Sequence, residues 1–284
     1  MNYGKTIELF LVNGTADSLI IAELSNWNGK AIKIPRIEVS ACNRDDLSQA
    51  GVYFLFCKED DGRDSVYIGE AENVKERLVQ HLRDYQSEQE KYYWNTAVVF
   101  IGRDLTKAHI RYLENQLVDK ARNAHRCDIL TKNTYKNTVM KESQIAAMNE
   151  YVDNVQIIIN ALGYKVLEAY TAVNTSQSID DDILHISVGV CEATGKVTTE
   201  GFVLFKDSIV NVKSSAKSLS AGMLRLREQL VAERKVVDRK TVEDILFTSS
   251  SAAADFVLGY SVSGPKTWKR KDGVSLKEIE SKDL

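Results

Sequence analysis

Hydrophobic and polar positions alternate along the first third of the chain. Ile7-Glu8-Leu9-Phe10-Leu11-Val12, the turn signal Asn13-Gly14, and Ser18-Leu19-Ile20-Ile21-Ala22-Glu23-Leu24 read as strand, turn and strand. Ala31-Ile32-Lys33-Ile34 before Pro35 reads as a third strand. The apolar and aromatic runs 51–56 and 65–69 flank the charged, glycine-containing stretch 58–64, which predicts a β-hairpin. Alternation puts Val52, Phe54 and Phe56 on one face and Tyr53, Leu55 and Cys57 on the other. A reversal centred on Asp60 sets Tyr53 opposite Tyr67. The period then changes: Val74, Leu78 and Leu82 recur every fourth residue on a helical stripe, with Arg77 and His81 as a polar column beside it. Residues 92–101 predict the next strand. Asp104 or Thr106 can cap a helix carrying Ile110, Leu113, Leu117 and Ala121 at core spacing, with Glu114 at the edge of that stripe.

Helical spacing continues from residue 135 to about 167, through Ile145, Met148 and Val152 and then 155–162, ending near Gly163. The polar stretch 175–182 ends in three aspartates. It reads as a solvated linker, because no glycine-containing calcium-loop spacing follows. Beyond it, 183–188, 196–205 and 209–212 read as strands. A helix follows, with Leu226 and Leu230 on its buried face and Arg225, Arg227, Arg234 and Lys235 as a basic fringe. Ser249-Ser250-Ser251 starts another helix, stopped by Gly259. The tail 264–273 reads as a turn and strand with Trp268 among Lys266, Lys269, Arg270 and Lys271.

The expected organisation is therefore a β-rich module over 1–44, a small catalytic domain over 45–135, a helical connector and acidic linker over 136–182, and an α+β domain over 183–284. The first module is small enough that its strands are expected to pack on the domain behind them. With 284 residues, 44% hydrophobic and 27% charged, the chain can fill more than one core. The apolar runs are too short to span a bilayer and no signal-peptide pattern opens the sequence, so a soluble cytoplasmic protein is expected. Cys42, Cys57, Cys127 and Cys191 are scattered, with no paired spacing for a disulfide framework or a structural zinc. The net charge of −3 is uneven: residues 201–284 hold 15 Lys/Arg against 11 Asp/Glu, and 136–200 hold 4 against 9. Any basic surface is therefore local.

Gly51-Val52-Tyr53, then Tyr67-Ile68-Gly69, then Arg77 eight residues beyond that glycine resemble the signature of the GIY-YIG endonuclease superfamily. Valine replaces the middle isoleucine, and the gap between the tripeptides is slightly long. The resemblance covers roughly 51–133, and roughly 196–280 resembles a domain of unknown function often found behind GIY-YIG domains. It implies an α/β (α+β) fold, with a small three-stranded antiparallel sheet flanked by helices, an N-terminal β-hairpin module and an α+β C-terminal domain. It also implies a metal-binding glutamate on a later helix, and Glu114 sits in the matching context.

Phosphodiester hydrolysis needs a deprotonated water, cationic stabilisation of the transition state and a stabilised leaving oxygen. One acid without a second at metal spacing suggests a single divalent cation, Mg2+ or Mn2+, with Glu114 as its only protein ligand. Arg77 would clamp the phosphate through its planar fork. Tyr53 matches the family's general base or water-orienting phenol, and Tyr67 would position phosphate or support Tyr53. His81 would donate to phosphate or shuttle a proton, and Asn133 falls where the family often has an asparagine near the metal. Each residue alone has a bland rival: packed aromatics for the tyrosines, solvated side chains for the rest. Their joint spacing favours the site. Lys266, Lys269, Arg270 and Lys271 with Trp268 are a candidate nucleic-acid contact, equally readable as a solvated strand edge with a packed indole. His109, His125 and His185 lack partners at ligand spacing. The expected function is a metal-dependent endonuclease whose partner is DNA, with RNA open and no signal of oligomeric state. The alternative is a catalytically inactive binding or scaffold protein that keeps the fold.

Overall fold

A computed structural model describes residues 3–58, 64–132, 139–170 and 183–282. The chain divides into two units, Met1–Ala169 and Tyr170–Leu284. The first is built on β1 (Ile7–Leu11), β2 (Ile20–Leu24), β3 (Gly29–Pro35), β4 (Gly51–Lys58), β5 (Asp64–Ala71), β6 (Trp94–Gly102) and β7 (Asp128–Ile129). These form one seven-stranded sheet in the order β1-β2-β3-β6-β4-β5-β7. The expected three-stranded core is β6-β4-β5, and the whole of β3 pairs with β6, so the N-terminal strands extend that same sheet. β7 adds in parallel on the outer edge of β5.

Period-two alternation fills the two faces differently. Val52, Phe54, Val66, Ile68 and Phe100 face α2 (Lys107–Ala124) and α3 (Glu142–Ala161), meeting Ile110, Leu113, Leu117, Val155 and Ile159. The stretch expected to connect the two domains thus supplies a helix of the first core. Tyr53, Leu55, Val99 and Ile101 face α1 (Val74–Gln86). Thr106 caps α2, and Asn73 caps α1 by accepting from the Glu76 amide at 3.1 Å. Only Val74 and Leu78 of α1 are fully buried apolar side chains. They contribute roughly 1.5–3 kcal/mol each, and Val79 and Leu82 pack on the same core partly buried.

The hairpin register differs from the one expected by symmetry about Asp60. Tyr53 pairs with Gly69, and Tyr67 with Leu55. The phenols are diagonal neighbours on one face rather than directly opposed. Gly69 explains the shift: a Cβ there would lie 2.5 Å from Tyr53 Oη and 2.8 Å from the Tyr67 ring. Only glycine lets the Tyr53 ring lie across the neighbouring strand.

The second unit contains β8 (Leu184–Val188), β9 (Cys191–Thr198), β10 (Gly201–Leu204), α4 (Ala221–Ala232), β11 (Val236–Val237), β12 (Lys240–Thr241), β13 (Ile245–Phe247), α5 (Ser250–Leu258), α6 (Gly264–Thr267) and α7 (Leu276–Lys282). Its sheet runs β13-β10-β9-β8, with β11 and β12 as a separate ribbon. Two expectations change here. Residues 196–205 form a tight hairpin rather than one strand, because Gly201 takes φ +139° where a side chain would strike the Phe247 carbonyl. Arg227 is not part of an exposed fringe: it is buried and donates to Ser214 Oγ at 2.9 Å and to the carbonyls of Asn211 and Phe256. No helix among the described residues is long and apolar enough to cross a membrane.

Candidate active site

Tyr53 is the hub of the first unit's polar cluster. The strand directs it at α1, where residues 77 and 81 are successive turns of one helical face. Arg77 Nε donates to Tyr53 Oη at 3.2 Å, and His81 Nε2 lies 2.9 Å from the same oxygen. His81 Nδ1 is bonded to Glu90 Oε1. A carboxylate only accepts, so Nδ1 carries the proton in the neutral ring and Nε2 is the acceptor for the Tyr53 hydroxyl. The phenol therefore accepts from Arg77 and donates to His81. Tyr67 stands beside this row, its ring centroid 6.1 Å from Tyr53 and 5.3 Å from His81, and stacks on Tyr92 at 5.8 Å. Tyr53 and His81 are completely buried, while Tyr67 and Arg77 are half-buried and form the outer layer.

Burial pushes Tyr53 well above the ordinary phenol value, and the neighbouring Tyr67 adds to this while Arg77 opposes it. Tyr67 is raised by burial as well, against the pull of Arg77. For Arg77, burial works against the charge, but the Tyr53 and Tyr67 oxygens overcome it and hold the guanidinium above its usual range.

Glu114 approaches from the other side. On α2 it is 5% exposed among Leu113, Leu117 and Val118, and its Oε2 has no hydrogen-bond partner among the described residues. Burial first, and the charge of Glu70 second, push its pKa up to about 7, against Lys107, Arg111 and Arg77. Its own charge acts on Tyr67. Glu114, Tyr67 and Arg77 thus share one electrostatic environment.

Residues 49–127 match the family model described as the GIY-YIG catalytic domain. The chain carries a GIY-YIG domain. Residues 184–280 match a domain of unknown function (DUF4357), so the expected order of the two is observed. No curated protein and no solved structure matches the chain. GIY-YIG is a nuclease-type family, and the matched span contains Tyr53, Tyr67, Arg77, His81 and Glu114.

Two acids of the GIY-YIG domain escaped sequence reasoning. Glu90 lies in a polar stretch without periodicity, and nothing local ties it to His81. Glu70 did carry a signal, because alternation along β5 places it with Val66 and Ile68 on the face that meets α2. Its side chain is 4% exposed and pairs with Lys107 Nζ at 3.0 Å, with Arg111 Nε at 3.9 Å. Asn133 lies outside the described residues, as does the acidic linker. Thr131, two positions before Asn133, is pinned to β5: its hydroxyl donates to the Ile68 carbonyl at 2.7 Å and accepts from the Ile68 amide at 2.8 Å. Among the described residues no three His, Cys, Asp or Glu side chains group as a metal cage.

The C-terminal cluster is only partly available. Trp268, a candidate base-stacking residue by sequence, is fully buried, 4.4 Å from the Phe202 ring, and its indole N–H donates to the Ser250 carbonyl at 2.9 Å. The short helix α6 turns the indole inward, so no ring face is open to a base. Lys266, Lys269 and Lys271 are exposed and Arg270 is half-buried.

Proposed function

We propose that the protein is an endonuclease that hydrolyses DNA phosphodiester bonds with one divalent cation, magnesium or manganese. The observation carrying this reading is the convergence of Tyr53, Tyr67, Arg77 and His81 with a buried glutamate, one oxygen of which has no partner among the described residues. A carboxylate so buried is costly unless a cation meets it. Glu114 therefore fits the ion, and Glu70 adds negative charge beside it. A hard ion held by one or two carboxylates and completed by water and phosphate suits this donor set. When bound, the cation neutralises charge on the phosphate and the leaving oxygen.

The rest of the chemistry belongs to the chain's own side chains. Arg77, in the outer layer, meets the phosphate and stabilises charge on its oxygens. With its pKa raised, Tyr53 is not a standing phenolate. It works instead as a relay: its oxygen takes a proton from the attacking water while its own proton passes to His81 Nε2. The O–H bond lost by water is replaced by one on Tyr53, and the bond lost by Tyr53 by an N–H on His81. Glu90 holds His81 in the tautomer that can accept and faces the imidazolium that forms. Tyr67 positions the phosphate beside Arg77. Lys266, Lys269 and Lys271 of the second unit are additional phosphate contacts of the positioning kind.

The test is cleavage of supercoiled plasmid and of forked and fully paired duplexes with magnesium, manganese or EDTA, comparing the wild type with Glu114→Ala. Metal-dependent nicking that vanishes in a folded variant supports the reading. Equal binding without cleavage by both proteins would replace it with a binding module that retains the fold.

A further inference from the structure

A cleft of about 630 Å³ opens at the end of the sheet where β3 and β6 meet. Asn26, Trp27, Asn28, Gln49 and Arg103 are among the residues that line it. Its position is informative. Gly29 at the start of β3 pairs with Gly102 at the end of β6, and Ile101 pairs with Gly51, two residues before Tyr53 on β4. Successive residues on a strand rise about 3.3 Å, so the cleft floor lies about two residues beyond the Tyr53 row. Gln49 is tied to the catalytic helix as well, because its carbonyl accepts from the Val74 amide at 3.2 Å, one turn before Arg77. Glu70 pairs with Val52 and sits at the same end of the sheet.

The chemistry of the walls narrows the occupant. Trp27 is half-buried and held as a rigid plane: it packs edge-on to Tyr151 at 4.8 Å and lies over Gly29, where a Cβ would come within 2.2 Å of the indole. The carboxamides of Asn26, Asn28 and Gln49 each present a donor and an acceptor together. The two acids in the wall are answered by bases, with Asp46 2.7 Å from Arg44, and Lys30 3.5 Å from Asp46 and 3.9 Å from Glu23. A wall balanced in charge suits an uncharged planar ligand better than a phosphate. Exposed Arg103 supplies a cation for a phosphate attached to that ligand.

We propose that this cleft receives an unstacked base of the nucleic-acid substrate, flanking the scissile phosphate, with its ring on Trp27 and its edge read by Asn28 and Gln49. Aromatic planes with nearby Asn or Gln amides are how proteins hold bases that have left the stack. A paired duplex keeps its bases inside the helix, so the cleft favours substrates with unpaired nucleotides at forks, flaps or mismatches. This inference rests on the nuclease reading above.

Trp94 and Trp268 are fully buried, so a fluorescence response to nucleic acid reports on Trp27. The experiment titrates the full-length Glu114→Gln protein in EDTA with a labelled forked duplex bearing unpaired nucleotides and with its fully paired counterpart. Polarisation and tryptophan emission are followed together, and the titration is repeated with Asn28→Ala and Gln49→Ala, two exposed positions. The expected result is quenching by the forked duplex but not by the paired one, with forked affinity falling about tenfold in Asn28→Ala with Gln49→Ala. Binding seen by polarisation without quenching, or with affinity unchanged in the double variant, overturns the cleft assignment and leaves the nuclease reading intact. No binding of either duplex overturns both.

Discussion

The two halves of the candidate site are built in opposite ways. Around Tyr53 the hydrogen bonds form one connected row: Arg77 donates to the phenol, the phenol to His81, and His81 to Glu90, whose other oxygen is buried with no partner among the described residues. Around Glu114 the set is open: among the described residues one carboxylate oxygen is buried with no hydrogen-bond partner, and a second acid stands close enough to raise its pKa. A connected row fixes the orientation of its members with no help from substrate. An open one is costly until a cation arrives. On the proposed mechanism, the proton-handling group is preorganised by the fold, and the cation-handling group is left incomplete where its ligand would enter.

The buried Arg227 of the second unit sharpens the contrast. Its guanidinium is spent on Ser214 and on two backbone carbonyls, so burial alone does not mark it as catalytic. Arg77, half-buried and bonded to the phenols of Tyr53 and Tyr67, has five N–H donors in its fork, more than these two bonds use.

Breaking the open half should have the largest effect. Glu114→Gln is expected to lower metal-dependent nicking by about 10⁴-fold or more, measured by single-turnover plasmid cleavage. Tyr53→Phe removes the relay oxygen but keeps the ring over Gly69. It should cost about 10²- to 10³-fold in rate with duplex affinity changed less than about threefold. Glu90→Gln frees the His81 tautomer while keeping the shape of the side chain. A loss of about tenfold in rate, with unchanged phosphate binding, is expected.

The remaining predictions concern stability. Arg227→Met leaves two buried carbonyls without donors, and a loss of about 3 kcal/mol in urea unfolding is expected, with no change in cleavage by the protein that stays folded. Glu114 has a folded pKa near 7, above its ordinary 4.5. The folded state therefore binds more protons than the unfolded one between these values, and metal-free stability should fall as pH rises through that window. The loss should level off above about pH 8 at no more than about 3 kcal/mol, and Glu114→Gln should abolish it. Stability that rises with pH in that window, with the same slope in the variant, would remove the open half from the comparison.

Much of this was legible before any coordinates. The tripeptides at Gly51 and Tyr67 gave the hairpin, the four-residue spacing gave the Arg77 and His81 column, and Glu114 stood out as an acid at the edge of an apolar stripe. What stayed hidden was long-range. The register depends on the room over Gly69, which a residue count cannot supply. Glu90 meets His81 only because the chain after α1 folds back, and its stretch has no period to betray that. Arg227 misled, because composition marks it as part of a basic fringe, and for Trp268 the sequence left a stacking surface and a packed indole equally open; only tertiary packing reveals that both are used inside the second core. The β-rich start of the chain could be read as strands, but its pairing along β6 depends on contacts between residues some seventy positions apart, such as Ile32 and Val99.

The division of labour between the halves is tested most directly by calorimetric titration of Mn2+ into the full-length wild type, Glu114→Gln and Tyr53→Phe in the presence of a duplex with a non-hydrolysable backbone. The expected result is one ion bound by the wild type, the same ion bound with similar affinity by Tyr53→Phe, and its loss in Glu114→Gln. Equal binding by Glu114→Gln and the wild type would contradict the claim that Glu114 is where the cation enters.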